Sequence, residues 1–251
     1  MTPLIAIPTY QRPKDVTKYT LSMLKEGGIK AKQIHLFVAN ATEAKIYKES
    51  VPSTLYHDIV IGKPGISAQR NFIHHYFPQG SHVVSLDDDL KNVMQLQNDG
   101  KLHPVKSLSS FFQNAFKLCI KNKRFLWGLY PVPNAFFMKK KHTTDLRFIL
   151  GSCYGFVMRR EKLKALKLKC QEKEDVEMSL LYNQIDGGVY RMNDHTVRGR
   201  AMGKGQGGLQ SHTSKERAQI HQHASHELHA RFPTQTKIVV RNGRHEIKLL
   251  A

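Results

Sequence analysis

Three consecutive carboxylates, Asp87, Asp88 and Asp89, follow directly on the apolar run Val83-Val84-Ser85-Leu86. Charge crowded at the end of a buried strand is costly, since like charges repel and each must be desolvated, so such clusters persist where a cation neutralises them. In an extended chain Asp87 and Asp89 point to one side and Asp88 to the other. Hard oxygen ligands of this kind suit Mg²⁺ or Mn²⁺, which bridge in turn to a substrate diphosphate. The competing reading is a solvated acidic turn or helix start, where Asp caps the backbone and meets the positive end of the helix dipole.

A second acidic pair, Glu174-Asp175, stands at the start of an expected helix far downstream. A carboxylate there has the chemistry of a general base for an acceptor hydroxyl. It is also embedded in the charged run Gln171 to Glu177, where acidic residues simply complement the helix dipole. Between Gly203 and Gly208 four glycines precede His212, which reads either as a lid over a diphosphate with His212 as a further metal ligand, or as a surface loop. His221, His223, His226 and His229 invite a zinc reading, but only some share a helix face, so a solvated polar helix is the better description.

The elements that must position these groups are legible as alternation. Strands are expected at Leu4 to Ile7, Ile34 to Val38, Asp58 to Ile61 and Val83 to Leu86, with helices from about Pro13 to Glu26 and Ile66 to Phe77. Pro13 suits a first helical turn, and Gly27-Gly28 and Gly65 mark boundaries. Further on, a helix is expected at Leu108 to Lys121, a strand at Leu126 to Tyr130, and a strand pair or one bent strand across Phe148 to Met158. Helices near Glu161 to Leu168 and Asp175 to Ile185 and a strand at Val189 to Met192 complete the core, an α/β fold around a mostly parallel sheet. Two regions follow: a core over 1–197, and an extension over 198–251 consisting of the Gly-rich loop, a helix at Ser214 to Ala230 and a hairpin through Asn242-Gly243, packed on the core.

With 251 residues, 40% of them hydrophobic, the chain is large enough for a substantial core. It holds no apolar window long enough to span a bilayer, and no charged leader precedes the first strand, so a soluble cytoplasmic protein is expected. Cys119, Cys153 and Cys170 have no metal-ligand spacing and are odd in number, which disfavours a disulfide framework. The 39 Lys and Arg against 20 Asp and Glu leave a formal charge of +19. Such an excess attracts polyanions, nucleic acid foremost, with anionic membranes or acidic glycans as competitors. Basic clusters at Lys121 to Arg124, Lys139 to His142, Arg159 to Lys169 and Arg191 to Arg200 alternate with Phe125, Trp127, Phe136, Phe137 and Tyr154, a broad surface rather than a tail.

Four motifs fall in order: Ile7-Pro8-Thr9-Tyr10-Gln11-Arg12-Pro13, Gly65-Ile66-Ser67-Ala68-Gln69-Arg70-Asn71, the Asp triplet and Glu174-Asp175. In that order they resemble nucleotide-sugar-dependent glycosyltransferases of the GT-A type, especially family 2, over about residues 3 to 185. The wording of the first two motifs and the basic character look most like the phage TET/J-binding-protein-associated glycosyltransferases, which are inferred to modify hydroxymethylated pyrimidines in DNA. The resemblance implies a GT-A nucleotide-binding fold in which Pro8, Thr9, Tyr10 and Arg12 pack on the base and reach its phosphates. Asn40 stands where the family often has an acidic residue on uracil. Arg70 and Asn71 would fix the sugar and diphosphate, Asp87 and Asp88 would contact the nucleotide sugar, and Asp87 and Asp89, with His212, would hold Mn²⁺ or Mg²⁺. Asp175 would deprotonate the acceptor and Glu174 orient a hydroxyl. The expected partners are a nucleoside-diphosphate sugar, UDP-linked by resemblance, and a 5-hydroxymethylpyrimidine in DNA. Two alternatives stay open: a glycan, lipid or protein acceptor, and a non-enzymatic nucleic-acid-binding module.

Overall fold

The computed structural model describes residues 1–200, 214–241 and 243–250. Strands β1 (Leu4–Pro8), β2 (Ile34–Val38), β3 (Asp58–Ile61) and β4 (His82–Leu86) are parallel neighbours in the order β3-β2-β1-β4. The helical pattern over 13–26 is one helix in three pieces: α1 (Pro13–Val16), a π turn (Thr17–Leu21) and α2 (Ser22–Glu26). Pro13 occupies its first turn, where the missing N–H has no partner to lose. Helix α3 (Ala41–Ser50) joins β2 to β3, and α4 (Ile66–Tyr76) joins β3 to β4.

Beyond β4 the chain forms β5 (Leu90–Leu96), β6 (Leu102–Pro104), α5 (Leu108–Lys121), β7 (Leu126–Leu129), β8 (His142–Thr143) and β9 (Cys153–Val157). Helix α6 (Glu174–Asp186), β10 (Tyr190–Met192) and β11 (His195–Gly199) follow, then α7 (Ser214–Arg231) and the hairpin β12 (Thr236–Arg241) and β13 (Arg244–Leu249). The main sheet has eight strands, β3-β2-β1-β4-β9-β7-β10-β8. Because β9 runs antiparallel to both β4 and β7, and β10 parallel to β7, the chain leaves β1, β4, β7 and β10 at one common edge. A smaller antiparallel sheet, β11-β5-β6, extends from that edge.

Two-residue periodicity divides the core between the faces of the main sheet. Ile5, Ile7, Leu36, Val84 and Leu86 pack with Phe112, Phe116 and Trp127, whereas Ala6, Phe37 and Val83 pack with Ile73, Phe77, Leu180 and Tyr182. Each fully buried large side chain stabilises the fold by about 1.5–3 kcal/mol. Ala224 and Leu228 of α7, with Phe232, join the second cluster, and Arg231 donates to the fully buried Glu177. The three cysteines are buried and free. Among the described residues, no helix is long and apolar enough to cross a membrane.

The structure departs from the sequence expectations in several elements. Only a 3-10 turn, Arg160–Lys162, stands where the sequence predicts a helix over Glu161 to Leu168. The following backbone is held from outside: Leu168 N–H donates to Asn71, and Lys169 and Cys170 N–H donate to Glu177. Of Phe148 to Met158, only β9 is strand, because the loop before it is tied to α6 and to Arg70. Helix α3 and the small sheet have no counterpart among the expected elements; the first carried a signal in Asn40-x-x-Glu43, an N-cap pattern.

His74 lies on the buried face of α4, its ring centroid 4.2 Å from that of Phe156. Burial, with Arg70 and His75 adding to it, lowers its pKa to about 3. The unfolded chain therefore takes up a proton near pH 6.5 that the folded chain refuses, and stability is lost as pH falls below that value. Comparing wild type with His74→Leu by urea denaturation at pH 7.5 and 5.5, we expect their stability difference to change by about 1.4 kcal/mol in the variant's favour at the lower pH. A difference independent of pH would refute this assignment.

Candidate active site

At the end of β1 the chain turns outward through Gln11, whose φ of 57° places it in the left-handed region. Pro8 is the last strand residue and Thr9 is buried behind it, its N–H donating to Phe37 O at 3.0 Å. Thr9 Oγ1 donates to Asp88 Oδ2 at 2.7 Å and lies 2.6 Å from the Tyr47 hydroxyl. That hydroxyl accepts the Arg12 N–H at 2.9 Å, which leaves its own proton for Thr9. Arg12 Nη1 reaches Asp88 Oδ1 at 3.4 Å and Asp89 Oδ2 at 3.9 Å. Tyr10 stays 41% exposed at the rim, where its hydroxyl accepts from Gln11 Nε2.

Tyr47 lies on α3 and was invisible in the sequence because that helix was. It is fully buried, and burial raises its phenol well above the usual range, so it remains a donor. Tyr47→Phe leaves the Arg12 N–H and Thr9 each short of a partner. The expected loss is about 1–3 kcal/mol, seen as a lower denaturation midpoint with an unchanged fold by circular dichroism.

Asp87 follows β4 directly, and Asp88 and Asp89 form the turn into β5. The extended-chain alternation expected for the triplet ends there: Asp88 and Asp89 share Arg12, while Asp87 faces Arg70 at 3.9 Å. Burial raises Asp88 to about 6 against the pull of Thr9 and Arg12. Burial likewise raises Asp87 to about 7, with Arg70 opposing and Asp88, Asp89 and Glu174 adding. Its side chain is 40% accessible, so water moderates that rise.

Arg70, from α4, is a buried cation beneath the cleft. Its Nη1 pairs with Glu174 Oε1 at 2.8 Å, its Nη2 donates to Gly151 O at 3.0 Å, and its guanidinium carbon stands 5.5 Å from the Tyr154 ring centroid. A Cβ on Gly151 would meet Arg70 Nη1 at 2.3 Å, so any larger residue there would displace the guanidinium. Glu174 is buried and burial raises it, with Arg70 opposing. Asp175, half-buried in the first turn of α6, accepts from Gly151 N–H at 3.2 Å and Val176 N–H at 2.8 Å. The fold thus brings Thr9, Arg12, Arg70, Asp87, Asp88, Asp89, Glu174 and Asp175 to one edge.

Other anticipated residues have different work. Asn71 donates to Leu168 O at 2.8 Å and accepts from Leu168 N–H at 2.9 Å, so both ends of its amide hold a loop rather than a ligand. Asn40 caps α3, its Oδ1 accepting from Glu43 N–H at 2.9 Å, which leaves only its NH₂ group for a base. His212 and Gly203 to Gly208 lie outside the described residues. Arg200, which sequence reasoning missed, sits beside Asp89 at the end of β11, its N–H donating to Asp89 O at 2.9 Å and its guanidinium to Asp15. No local signal marks it, since it arrives through the pairing of β11 with β5.

Among the described residues, the three-residue cluster of possible metal ligands is His142, Asp194 and His195. Asp194 Oδ1 lies 2.9 Å from His142 Nε2 and 2.8 Å from His195 Nδ1, and His142 Nδ1 lies 2.6 Å from the Tyr190 hydroxyl. These are mutual hydrogen bonds that tie β8 to the β10–β11 turn. His226 and His229 on α7 bond to His245 and Thr236, in accord with a polar helix rather than a zinc site.

A model of the TET-associated glycosyltransferases matches residues 4–208. The chain belongs to that family. No curated protein sequence matches it. The fold is similar to S. aureus TarS 1–349 in complex with UDP-GlcNAc, at TM-score 0.59 and 12% identity over 91% of this chain and 67% of that one. It is also similar to the glucosyl-3-phosphoglycerate synthase of Mycobacterium tuberculosis bound to Mn²⁺, UDP-glucose and phosphoglyceric acid, at TM-score 0.54 and 12% identity over 100% and 87%. The chain spans 66% of a second TarS 1–349 structure and 40% of a longer one. At such identities the likeness concerns the GT-A fold.

For this glycosyltransferase the donor set fits a hard divalent ion. Asp88 has both oxygens engaged, whereas neither Asp87 nor Asp89 receives a side-chain hydrogen bond among the described residues, and the guanidinium groups of Arg70 and Arg12 stand 3.9 Å from them. Two open carboxylates on one turn are oxygen ligands of the kind Mg²⁺ and Mn²⁺ prefer.

Proposed function

We propose that this glycosyltransferase moves a sugar from a nucleoside-diphosphate sugar, UDP-linked, to the hydroxyl of a 5-hydroxymethylpyrimidine in DNA. The observation that carries the donor side is the open Asp87 and Asp89 pair at the end of β4, with Asp87 facing the buried Arg70 that pairs with Glu174, the neighbour of Asp175. The donor and metal in the Mycobacterium tuberculosis enzyme support it, and the family and the +19 charge support the acceptor.

Asp87 and Asp89 would hold Mn²⁺ or Mg²⁺, which when bound supplies positive charge to the leaving diphosphate. Arg12 and Arg200, beside Asp89, add fixed cations at the same place. Thr9 and Tyr47 hold Asp88 and the Arg12 backbone so that this arrangement pre-exists the donor. Glu174 is pinned by Arg70 and acts by positioning, while Asp175, oriented by the Gly151 and Val176 N–H groups, would accept the acceptor's hydroxyl proton as the new glycosidic bond forms. Backside attack with Asp175 as base inverts the anomeric centre.

The test is mass spectrometry of nucleosides from hydroxymethylated duplex DNA incubated with a panel of UDP-sugars, with Mn²⁺ or with EDTA. We expect a sugar adduct on the modified pyrimidine that EDTA abolishes. No adduct from any donor would overturn the acceptor assignment.

A further inference from the structure

The loop between β7 and β8 carries a feature that sugar transfer itself does not use. Phe136 is 86% exposed and Phe137 55%, adjacent to each other in the chain, with ring centroids 5.0 Å apart and edge to face. Val132, 48% exposed, extends the patch. Bare aromatic rings on a solvated surface cost free energy and mark contact sites. The presentation is built rather than frayed. Asn134 Oδ1 accepts from Phe136 N–H at 3.0 Å to close a 3-10 turn, Ala135–Phe137, and Met138 is buried beneath it. Lys139 N–H donates to Asn193 O at 3.2 Å and His142 bonds Asp194, so the loop is tied to the β10–β11 turn at its far end. Lys140 donates to Asn98, securing it to the turn after β5.

Its place and charge indicate the partner. β7 runs parallel to β4 with β9 between them, so the loop leaves the same sheet edge as the Asp triplet, about 10 Å along it at two strand spacings. Lys139, Lys140 and Lys141, all exposed, follow the rings after the buried Met138. Apolar side chains flanked by cations are what enters a DNA base step while lysines hold the flanking phosphates.

We propose that Phe136 and Phe137 form a wedge that stacks into duplex DNA beside the target pyrimidine, with Lys139 and Lys141 on the adjacent phosphates. This rests on DNA being the acceptor. The wedge opens the stack and lets the modified base reach the carboxylate edge, where a hydroxymethyl group within an intact duplex is poorly placed.

The experiment compares wild type with Phe136→Ser/Phe137→Ser on hydroxymethylated duplexes carrying 2-aminopurine next to the target. Wild type should raise 2-aminopurine fluorescence on binding; the variant should not, and its transfer to duplex should fall roughly tenfold or more. Its melting temperature and its calorimetric titration with UDP and Mn²⁺ should match wild type. Lys139→Gln/Lys141→Gln should flatten the salt dependence of duplex binding by about 0.9 in log–log slope for each phosphate that is no longer neutralised. If wild type glycosylates DNA and the double Ser variant does so equally well with the same fluorescence rise, the wedge alone is wrong. If wild type neither binds nor modifies DNA, the acceptor reading falls and the wedge with it. Sedimentation of wild type, but not the Ser variant, with anionic phosphatidylserine vesicles, without any 2-aminopurine response, would reassign the patch to a membrane.

Discussion

Asp87→Asn should lower sugar transfer at saturating donor by roughly 10²–10³-fold while raising the melting temperature of the metal-free protein. The two changes have one cause. Asp87 and Glu174 lie against the buried Arg70 guanidinium and Asp88 and Asp89 against Arg12, and burial, with repulsion from neighbouring carboxylates, raises the pKa of each carboxyl. Removing one charge relieves repulsion that the metal-free fold must bear. It also removes one of the two carboxylates that take no side-chain hydrogen bond among the described residues, and with it a proposed ligand for the divalent ion that would balance the charge developing on the leaving diphosphate. Mn²⁺ should raise the wild-type melting temperature and leave that of the variant almost unmoved. Thermal melts with and without Mn²⁺, alongside transfer assays, check both halves. A variant that is less stable than wild type yet transfers sugar within a few-fold of it would show that Asp87 belongs to the fold and not to the donor site.

Arg70→Met should cost about 3–5 kcal/mol in stability, because it leaves Glu174 buried beside Asp87 without a counter-charge. Arg70→Met/Glu174→Gln should recover most of that loss and none of the activity. The guanidinium does three things at once: it pairs with Glu174, donates to Gly151 O and faces Asp87. Only the first depends on Glu174 keeping its charge. Gly151 N–H in turn donates to Asp175, so displacing Arg70 also disturbs the loop that orients Asp175, the base proposed for the acceptor. Urea denaturation of the two single variants and the double variant completes a cycle whose coupling energy measures the buried pair. If the double variant is no more stable than Arg70→Met, the pair is not what holds this floor together.

Apart from α3, the alternation of strands and helices through α4 and β4 was legible because apolar residues there obey simple periods. A parallel strand buried on both faces reads as a continuous apolar run, as in Ile34–Val38, and an amphipathic helix repeats every three to four residues, as in Leu108–Lys121. Some strands beyond β4 left no such trace. β8 has two residues, too few to show a period, and β5 pairs along a partly exposed sheet whose pattern is broken. The expected helix at Glu161 to Leu168 is only a 3-10 turn, and side chains from α4 and α6 bond the backbone from Leu168 to Cys170 at its end, a competition that local propensity does not register.

The order of Thr9, Arg70, Asp87 and Asp175 along the chain was enough to place four polar groups at the carboxyl end of one sheet, since strand ends are where an open α/β fold exposes its residues. Residue type and spacing say nothing of which group each side chain bonds. Asp88 and Asp87 are chemically identical neighbours, yet one is engaged by Thr9 and Arg12 and the other stays open. Arg70 and Asn71 are adjacent on one helix, yet one lies beneath the cleft and the other clamps Leu168. Tyr47 and Arg200 enter the site only through α3 packing on α1 and β11 pairing with β5. A hydrogen bond is allotted by what packs opposite, often across tens of residues of chain. That information exists only once the backbone has closed.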